Sequence, residues 1–244
     1  MEIQVEKVVP YQTKDGKKAQ IETMFDNIAH KYDFLNHLLS LGIDITWRKR
    51  AIREISAIHP KLILDMASGP GDFAFEALSI QPEKVIALDL AQNMLDIGKE
   101  KAKTKDSGGK IEWVKGDSEA LNFSDNNFDA ITVGFGVRNF QNLEKGLGEL
   151  SRVLKPDGMI AILEPSFPSN PIMKVLFNIH FRYTTPLVGK LFSKDASAYS
   201  YLPDSVSAFP QGDLFCQLLQ KAGFKDTKHV PLTFGMCAMY LARK

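Results

Sequence analysis

The run Ile63-Leu64-Asp65-Met66-Ala67-Ser68-Gly69-Pro70-Gly71-Asp72 decides how the chain is read. An apolar stretch ends in two closely spaced glycines and passes into helix-forming sequence, the pattern of a strand, a tight loop and a helix start. Lacking a Cβ, Gly69 and Gly71 let the backbone turn sharply and let a ligand lie against it, and the helix start offers unpaired N–H groups. A nucleotide-type ligand fits such a loop, but so does an ordinary strand-to-helix turn. The flanking sequence has to separate the two.

Downstream, strand and helix patterns alternate. Residues 62–67 read as a strand, 72–80 as a helix, 84–88 as a strand, 92–103 as a helix and 111–115 as a strand. A strand at 128–134, a helix at 143–154 and a strand at 159–163 continue the series, with Pro156-Asp157-Gly158 as a turn before the last. This alternation predicts an α/β domain with a mostly parallel sheet, helices on both faces, and ligands at the carboxyl ends of the strands.

Upstream, Ile21, Met24, Phe25 and Ile28 recur at helical spacing, as do Leu35, Leu38 and Leu39 before a break at Gly42. Residues 19–60 are therefore expected as a helical cap in front of a core at 61–164. Residues 1–18, polar and lysine-rich with Pro10 and Gly16, are expected as a flexible arm. Between 165 and 207 the alternation stops, and a segment rich in Phe, Tyr and Leu reads as a helical insertion or lid. The end of the chain, 208–244, reads as a helix at 214–222 and two strands at 224–230 and 233–241, a hairpin on the sheet edge with one strand antiparallel to the rest.

A chain of 244 residues accommodates one large domain of this kind. Its net charge of +1 lacks the basic excess of a nucleic-acid binder, so no nucleic-acid partner is expected. Cys216 and Cys237 have no metal-ligand spacing and read as core thiols of a reducing compartment, with neither a metal site nor a disulfide. No basic n-region precedes an apolar stretch, and no apolar run reaches membrane-spanning length, so the expected location is cytoplasmic.

Acidic residues at the strand ends bear on the ligand. Asp89 closes the second strand about 20 residues beyond Gly69, where a carboxylate reaches ribose hydroxyls or caps the next helix. Asp117 follows the third strand and can accept from an adenine amine, or stand as a solvated turn carboxylate. The segment Gly69-Pro70-Gly71-Asp72-Phe73-Ala74 also satisfies a permissive dinucleotide fingerprint, which leaves a nicotinamide oxidoreductase open. Against it, Asp72 places a carboxylate where a pyrophosphate would sit at the helix start. A cationic, phosphate-free ligand suits Asp65, Asp72, Asp89 and Asp117 better; S-adenosylmethionine carries a sulfonium and an ammonium.

Several further stretches carry a resemblance over nearly the whole chain. They are Lys31-Tyr32-Asp33-Phe34-Leu35-Asn36, Ser40-Leu41-Gly42-Ile43-Asp44 with Trp47-Arg48, the glycine loop, Asp89-Leu90-Ala91-Gln92-Asn93-Met94-Leu95, Ser118-Glu119-Ala120-Leu121-Asn122-Phe123 and Gly134-Phe135-Gly136-Val137-Arg138-Asn139. With these the chain resembles the class I S-adenosylmethionine-dependent methyltransferases, and among them the C-methyltransferases of menaquinone and ubiquinone biosynthesis. The resemblance implies a Rossmann-like, seven-stranded fold and a cofactor set of Asp65, Ala67, Gly69, Pro70, Gly71, Asp89, Leu90, Asp117, Ser118 and Gly134. It also implies methylation of a ring carbon on a polyprenylated quinol, naphthoquinol before benzoquinol. Where the family usually has Thr between the loop glycines, this chain has Pro70, which removes a hydroxyl and a backbone donor.

Carbon is a poor nucleophile unless the neighbouring hydroxyl loses its proton, and a phenol with a pKa near 10 holds it at pH 7. Arg138 is the candidate for stabilising the phenolate, with Asn139 orienting the quinol oxygen and Tyr32 lining the site from the N-terminal helices; a solvated Arg and packing roles for the other two are the plainer alternatives. The apolar segment 172–192, interrupted by Lys174, His180, Arg182 and Lys190, reads either as a helix packed on the sheet or as a wall for the isoprenoid tail that rests on the inner face of the membrane. A methyltransferase fold kept as a partner-binding module is a further reading, and the sequence leaves monomer and homodimer both open.

Overall fold

Residues 62–66 are buried from Ile63 onward, and they form the central strand of the sheet because both faces are covered. The computed structural model describes residues 3–40, 42–105, 108–168 and 197–244. Seven strands, β1 (Leu62–Met66), β2 (Lys84–Asp89), β3 (Ile111–Lys115), β4 (Phe128–Gly134), β5 (Leu154–Pro165), β6 (Lys225–Leu232) and β7 (Cys237–Arg243), lie in the order β3-β2-β1-β4-β5-β7-β6. All neighbours are parallel except those of β7, which runs antiparallel to β5 and β6. The expected edge hairpin is thus present, with its second strand inserted next to β5.

The helices are α1 (Lys17–Leu39), α2 (Asp44–Ile55), α3 (Asp72–Ala77), α4 (Gln92–Thr104), α5 (Leu143–Val153), α6 (Ser197–Ala208) and α7 (Asp213–Lys221). Side chains alternate across the sheet and build two cores. Leu64, Met66, Ile86, Leu88, Ile131, Val133, Ile160 and Ile162 face α5 and α7, whereas Ile63, Val85, Ala87, Ala130, Ala161 and Leu163 face α2 and α3. The chain leaves β1 for the β2–β3 side and returns to pair β4 with β1, which puts a crevice at the carboxyl ends of these two strands.

Three expectations are corrected. Residues 3–18 do not form a free arm: Val5 is fully buried in the main core, and Lys17 Nζ donates to Val5 O at 2.6 Å and to Arg138 O at 3.0 Å. Ile3 packs beside Val5, Val8 and Tyr11 pack on the cluster of Ile21 and Met24, and Glu6 Oε1 accepts the Leu143 N–H at 2.8 Å, so apolar and polar contacts together dock the segment. Pro156-Asp157-Gly158 lies inside β5 rather than before it, because Leu154 already pairs with Phe128 ahead of a register shift; Asp157 absorbs the bend at φ 63°. The last strand begins at Cys237, since Thr233–Gly235 forms a 3₁₀ turn with Phe234 at φ 57°. Most of the expected lid, including 172–192, lies outside the described residues; its final part is α6, whose Tyr201 packs on Ile21 and Met24 of α1.

Candidate active site

Ala67 and Phe135 follow β1 and β4 directly, and each adopts a left-handed backbone, at φ 53° and 60°. Non-glycine residues held there carry a conformational cost, of order 1–3 kcal/mol each, that surrounding structure must hold in place. The two ends touch: a Cβ on Gly136 would lie 2.5 Å from Ala67 Cβ. On either side of this contact lie two adjoining chambers that share Tyr32, Ala67, Gly69, Gly134 and Phe135.

The larger, about 680 Å³ with its open mouth, is lined by Asp89, Leu90, Asp117, Ser118, Asn139 and Lys18 among others. Asp89 Oδ2 accepts the Gly69 N–H at 2.7 Å and its Oδ1 accepts the Ala91 N–H at 2.9 Å, so this carboxylate ties the glycine loop to the start of α4. Burial nevertheless lifts its pKa to about 6. Asp89 thus braces the turn without being the side-chain cap of α4, whose N-cap is Ala91, and it lines the larger chamber. Asp117 Oδ1 accepts the Glu119 N–H at 2.9 Å, and its Oδ2 pairs with Lys18 Nζ at 2.7 Å, a contact from α1 that its spacing in the sequence does not announce.

The smaller chamber, about 330 Å³, is lined by Arg48, Asp65, Ser68, Pro70 and Asp72. Asp65 stands opposite Thr132 across the β1–β4 pair, and Thr132 Oγ1 donates to its Oδ1 at 2.8 Å. Burial pushes the Asp65 pKa to about 7. Its Oδ2 and the hydroxyl of Ser68 are buried side by side with no well-formed hydrogen bond, and Ser68 is near enough to favour the ionised carboxylate against burial. Burial opposes ionisation of Asp72 as well, but Arg48 and Lys101 outweigh it and hold Asp72 below the usual carboxylate range. Arg48 was not among the expected site residues, although Trp47-Arg48 belonged to the stretches carrying the resemblance.

Gly71 lines neither chamber; it caps α3 at φ 86°, and a Cβ there would collide with the Trp113 ring at 2.3 Å. Tyr32 lines both, with burial pushing its phenol up to about 12, so it is a neutral donor at pH 7. Arg138 departs from the expected placement, since it lines neither chamber. Its guanidinium is drawn back onto Glu164 Oε2 at 2.9 Å and onto the carbonyl of Phe135, because a buried cation requires a counter-charge. Asn139 beside it does line the larger chamber, and its Oδ1 accepts from Tyr201 of α6 at 3.0 Å. Among the described residues no group of His, Cys, Asp or Glu could hold a metal ion.

These donors and acceptors fit S-adenosylmethionine. Asp65 Oδ2 offers a buried acceptor for an ammonium, Asp89 keeps lone pairs for ribose hydroxyls, and Gly69, Gly134 and Gly136 leave the crevice free of side chains. A model of the ubiE/COQ5 methyltransferase family matches residues 12–244. The chain belongs to that family. It is 48% identical over 241 residues to the demethylmenaquinone methyltransferase of Bacteroides fragilis, covering 98% of each chain. It is 42% identical over 234 residues to the ubiquinone/menaquinone biosynthesis C-methyltransferase UbiE of Geotalea daltonii, covering 95% of this chain and 98% of that one.

Among solved structures, a SAM-dependent methyltransferase from Aquifex aeolicus superposes with a TM-score of 0.54 at 20% identity, over 75% of this chain and 81% of the other, a likeness of fold. The family member is thus an S-adenosylmethionine-dependent methyltransferase with the class I α/β fold, and the oxidoreductase reading falls away. No helix of the described residues is long and apolar enough to cross a membrane.

Proposed function

We propose that this enzyme transfers a methyl group to a ring carbon of a polyprenylated demethylmenaquinol, yielding the corresponding menaquinol. The observation that carries the reading is the pair of adjoining chambers, with Tyr32 on both and Asn139 at the wall of the larger one. The names of relatives from Bacteroides fragilis and Chlorobaculum parvum, 48% and 43% identical, favour the naphthoquinol ring. The Geotalea daltonii relative, named for both quinones, keeps 2-methoxy-6-polyprenyl-1,4-benzoquinol as the second substrate to test.

S-Adenosylmethionine supplies an electrophilic methyl on a sulfonium, so the protein's share is to fix the ring carbon in line with it and to keep water out. Asp89 and Asp117 hold the adenosyl end, assisted by Leu90, Ser118 and the Gly69–Gly71 loop. Tyr32 and Asn139 touch the ring and its oxygen. Arg138 acts from behind Asn139: its charge, anchored by Glu164, favours the phenolate at the end of β4. The sequence at 172–192 supports a wall for the isoprenoid tail resting on the membrane surface. Incubating the protein with S-adenosylmethionine and either reduced quinol, followed by mass spectrometry, tests the reading. One added methyl on the naphthoquinol is the expected result, and no methylation of either ring would overturn it.

A further inference from the structure

The turn between β6 and β7 is held in a costly conformation. Thr233 and Phe234 both have left-handed backbones, at φ 44° and 57°, which non-glycine residues keep only where their surroundings impose it. Here Trp47 Nε1 of α2 donates to Thr233 Oγ1 at 2.8 Å, Ser166 Oγ donates to Gly235 O at 2.6 Å, and the Ser166 N–H donates to Met236 O at 3.1 Å. What the braced turn displays is Phe234, 72% exposed.

Phe234 does not stand alone. Leu232 and Met236 on either side of the turn, and Ile43 at the start of α2, are only partly buried against the second core, and Ile45 in the first turn of α2 is exposed. Scattered apolar side chains on a surface are ordinary, but a strained, braced turn that gathers them is not. The patch lies at the carboxyl end of the sheet, since Cys237 pairs with both Leu232 and Pro165, the last residue of β5. It also borders the crevice: Trp47 meets the ring of Phe135, which lines both chambers, edge-on at 6.2 Å.

Set back from the patch, α2 is basic. Ile45, Lys49 and Arg53 follow at four-residue steps and are all exposed, which places Lys49 about 6 Å and Arg53 about 12 Å along the helix from the apolar tip. Arg50 pairs with Glu54 at 2.7 Å, and Glu76 of α3 feels the charge of Lys49, so three cations stand against two carboxylates. Neither Lys49 nor Arg53 makes an ion pair among the described residues. An apolar tip with a cationic collar behind it mirrors the layers of an anionic membrane, hydrocarbon under headgroups about 5–7 Å deep.

We infer that the corner made by the β6–β7 turn and the first turn of α2 is the face on which this enzyme sits on an anionic bilayer. Phe234 enters the hydrocarbon, and Lys49 and Arg53 meet the headgroups. A quinol whose tail stays in the membrane then reaches the chambers past Phe135. The inference rests on the reading of the acceptor as a lipid-tailed quinol and is independent of residues 172–192.

Co-sedimentation of the full chain with vesicles of phosphatidylcholine, alone or mixed with phosphatidylglycerol, tests it. F234N keeps a residue suited to a left-handed backbone and is expected to weaken binding to both vesicles by about 10-fold, the scale of one large apolar side chain left in water. The double variant K49Q/R53Q is expected to lose about 10-fold or more on the anionic vesicles alone. All three proteins should methylate a single-isoprene quinol in solution equally well, while kcat/KM for a long-tailed quinol in vesicles should fall in step with binding. Unchanged vesicle binding in both variants, or no binding by the wild type, overturns the assignment, as does an equal loss of turnover on the two quinols. A wild-type dimer that F234N abolishes, with no vesicle binding, would give the corner to a second copy of the chain instead. Vesicle binding that follows this pattern in a protein that methylates neither quinol counts against the ring-substrate reading and leaves the surface standing.

Discussion

Glu164, near the end of β5, accepts twice from Arg138: its Oε1 takes the backbone N–H at 3.2 Å and its Oε2 takes Nη1 at 2.9 Å. Both residues are buried, at 1% and 6% exposure, so the pair is shielded from water on all sides. Removing one partner leaves a buried charge uncompensated. E164A is expected to lose about 3–5 kcal/mol of stability in urea unfolding. E164Q retains one acceptor and is expected to fold, with turnover reduced and the affinity for S-adenosylhomocysteine unchanged. A wild-type unfolding midpoint for E164A would show that Arg138 finds its counter-charge elsewhere.

Tyr201 links the helix that follows the insertion to the loop after β4, through its bond to Asn139 Oδ1 at 3.0 Å. Y201F deletes one hydroxyl and keeps the packing on Ile21 and Met24. The expected cost is about 1 kcal/mol of stability, with turnover falling more than cofactor affinity because Asn139 loses its orientation. Unaltered kcat in Y201F would separate α6 from the chemistry.

Asp65 gives the ligand-free protein a pH signature. Burial raises its pKa to about 7 from an ordinary value of 3.8, so its contribution to stability is complete below about pH 4 and is lost as pH rises to about 7. D65N removes the titrating group. The difference in unfolding free energy between wild type and D65N is therefore expected to change steadily between pH 4 and 7, to the disadvantage of the wild type, and then to level off. Affinity for S-adenosylhomocysteine in the wild type should rise over the same interval, since the ionised carboxylate receives the ammonium. Parallel curves for the two proteins would place the titration on another group.

Gly136 marks the tightest point of the crevice. An alanine there would set its Cβ 2.5 Å from Ala67 Cβ, and neither atom can swing away on a flexible side chain. G136A is expected to cost about 1–3 kcal/mol through overpacking and to weaken cofactor binding by displacing the β1 or β4 end. Equilibrium unfolding and calorimetry together check it; a variant equal to wild type in both would mean that the loops part without cost.

What the sequence determined by itself was the order of elements and the ligand end of the sheet. Alternating apolar runs and helical periods are local signals, and they set β1 through β5, the glycine loop, and the placement of Asp89 and Asp117 at strand ends, all of which line the crevice or border it. Family resemblance added the cofactor, since the motifs span almost the whole chain. Three features needed the tertiary structure. Val5 and Lys17 look like members of a polar arm until the surface they dock against exists. Arg138 reads as a cation at a pocket mouth, and only the arrival of Glu164 from the adjacent strand draws it inward. Arg48 reaches the glycine loop because α2 packs on the sheet mainly against β5, a contact made by residues far apart in the chain. Pairing between distant charges is set by burial and by which strand lies beside which, and neither leaves a period or a spacing in the sequence.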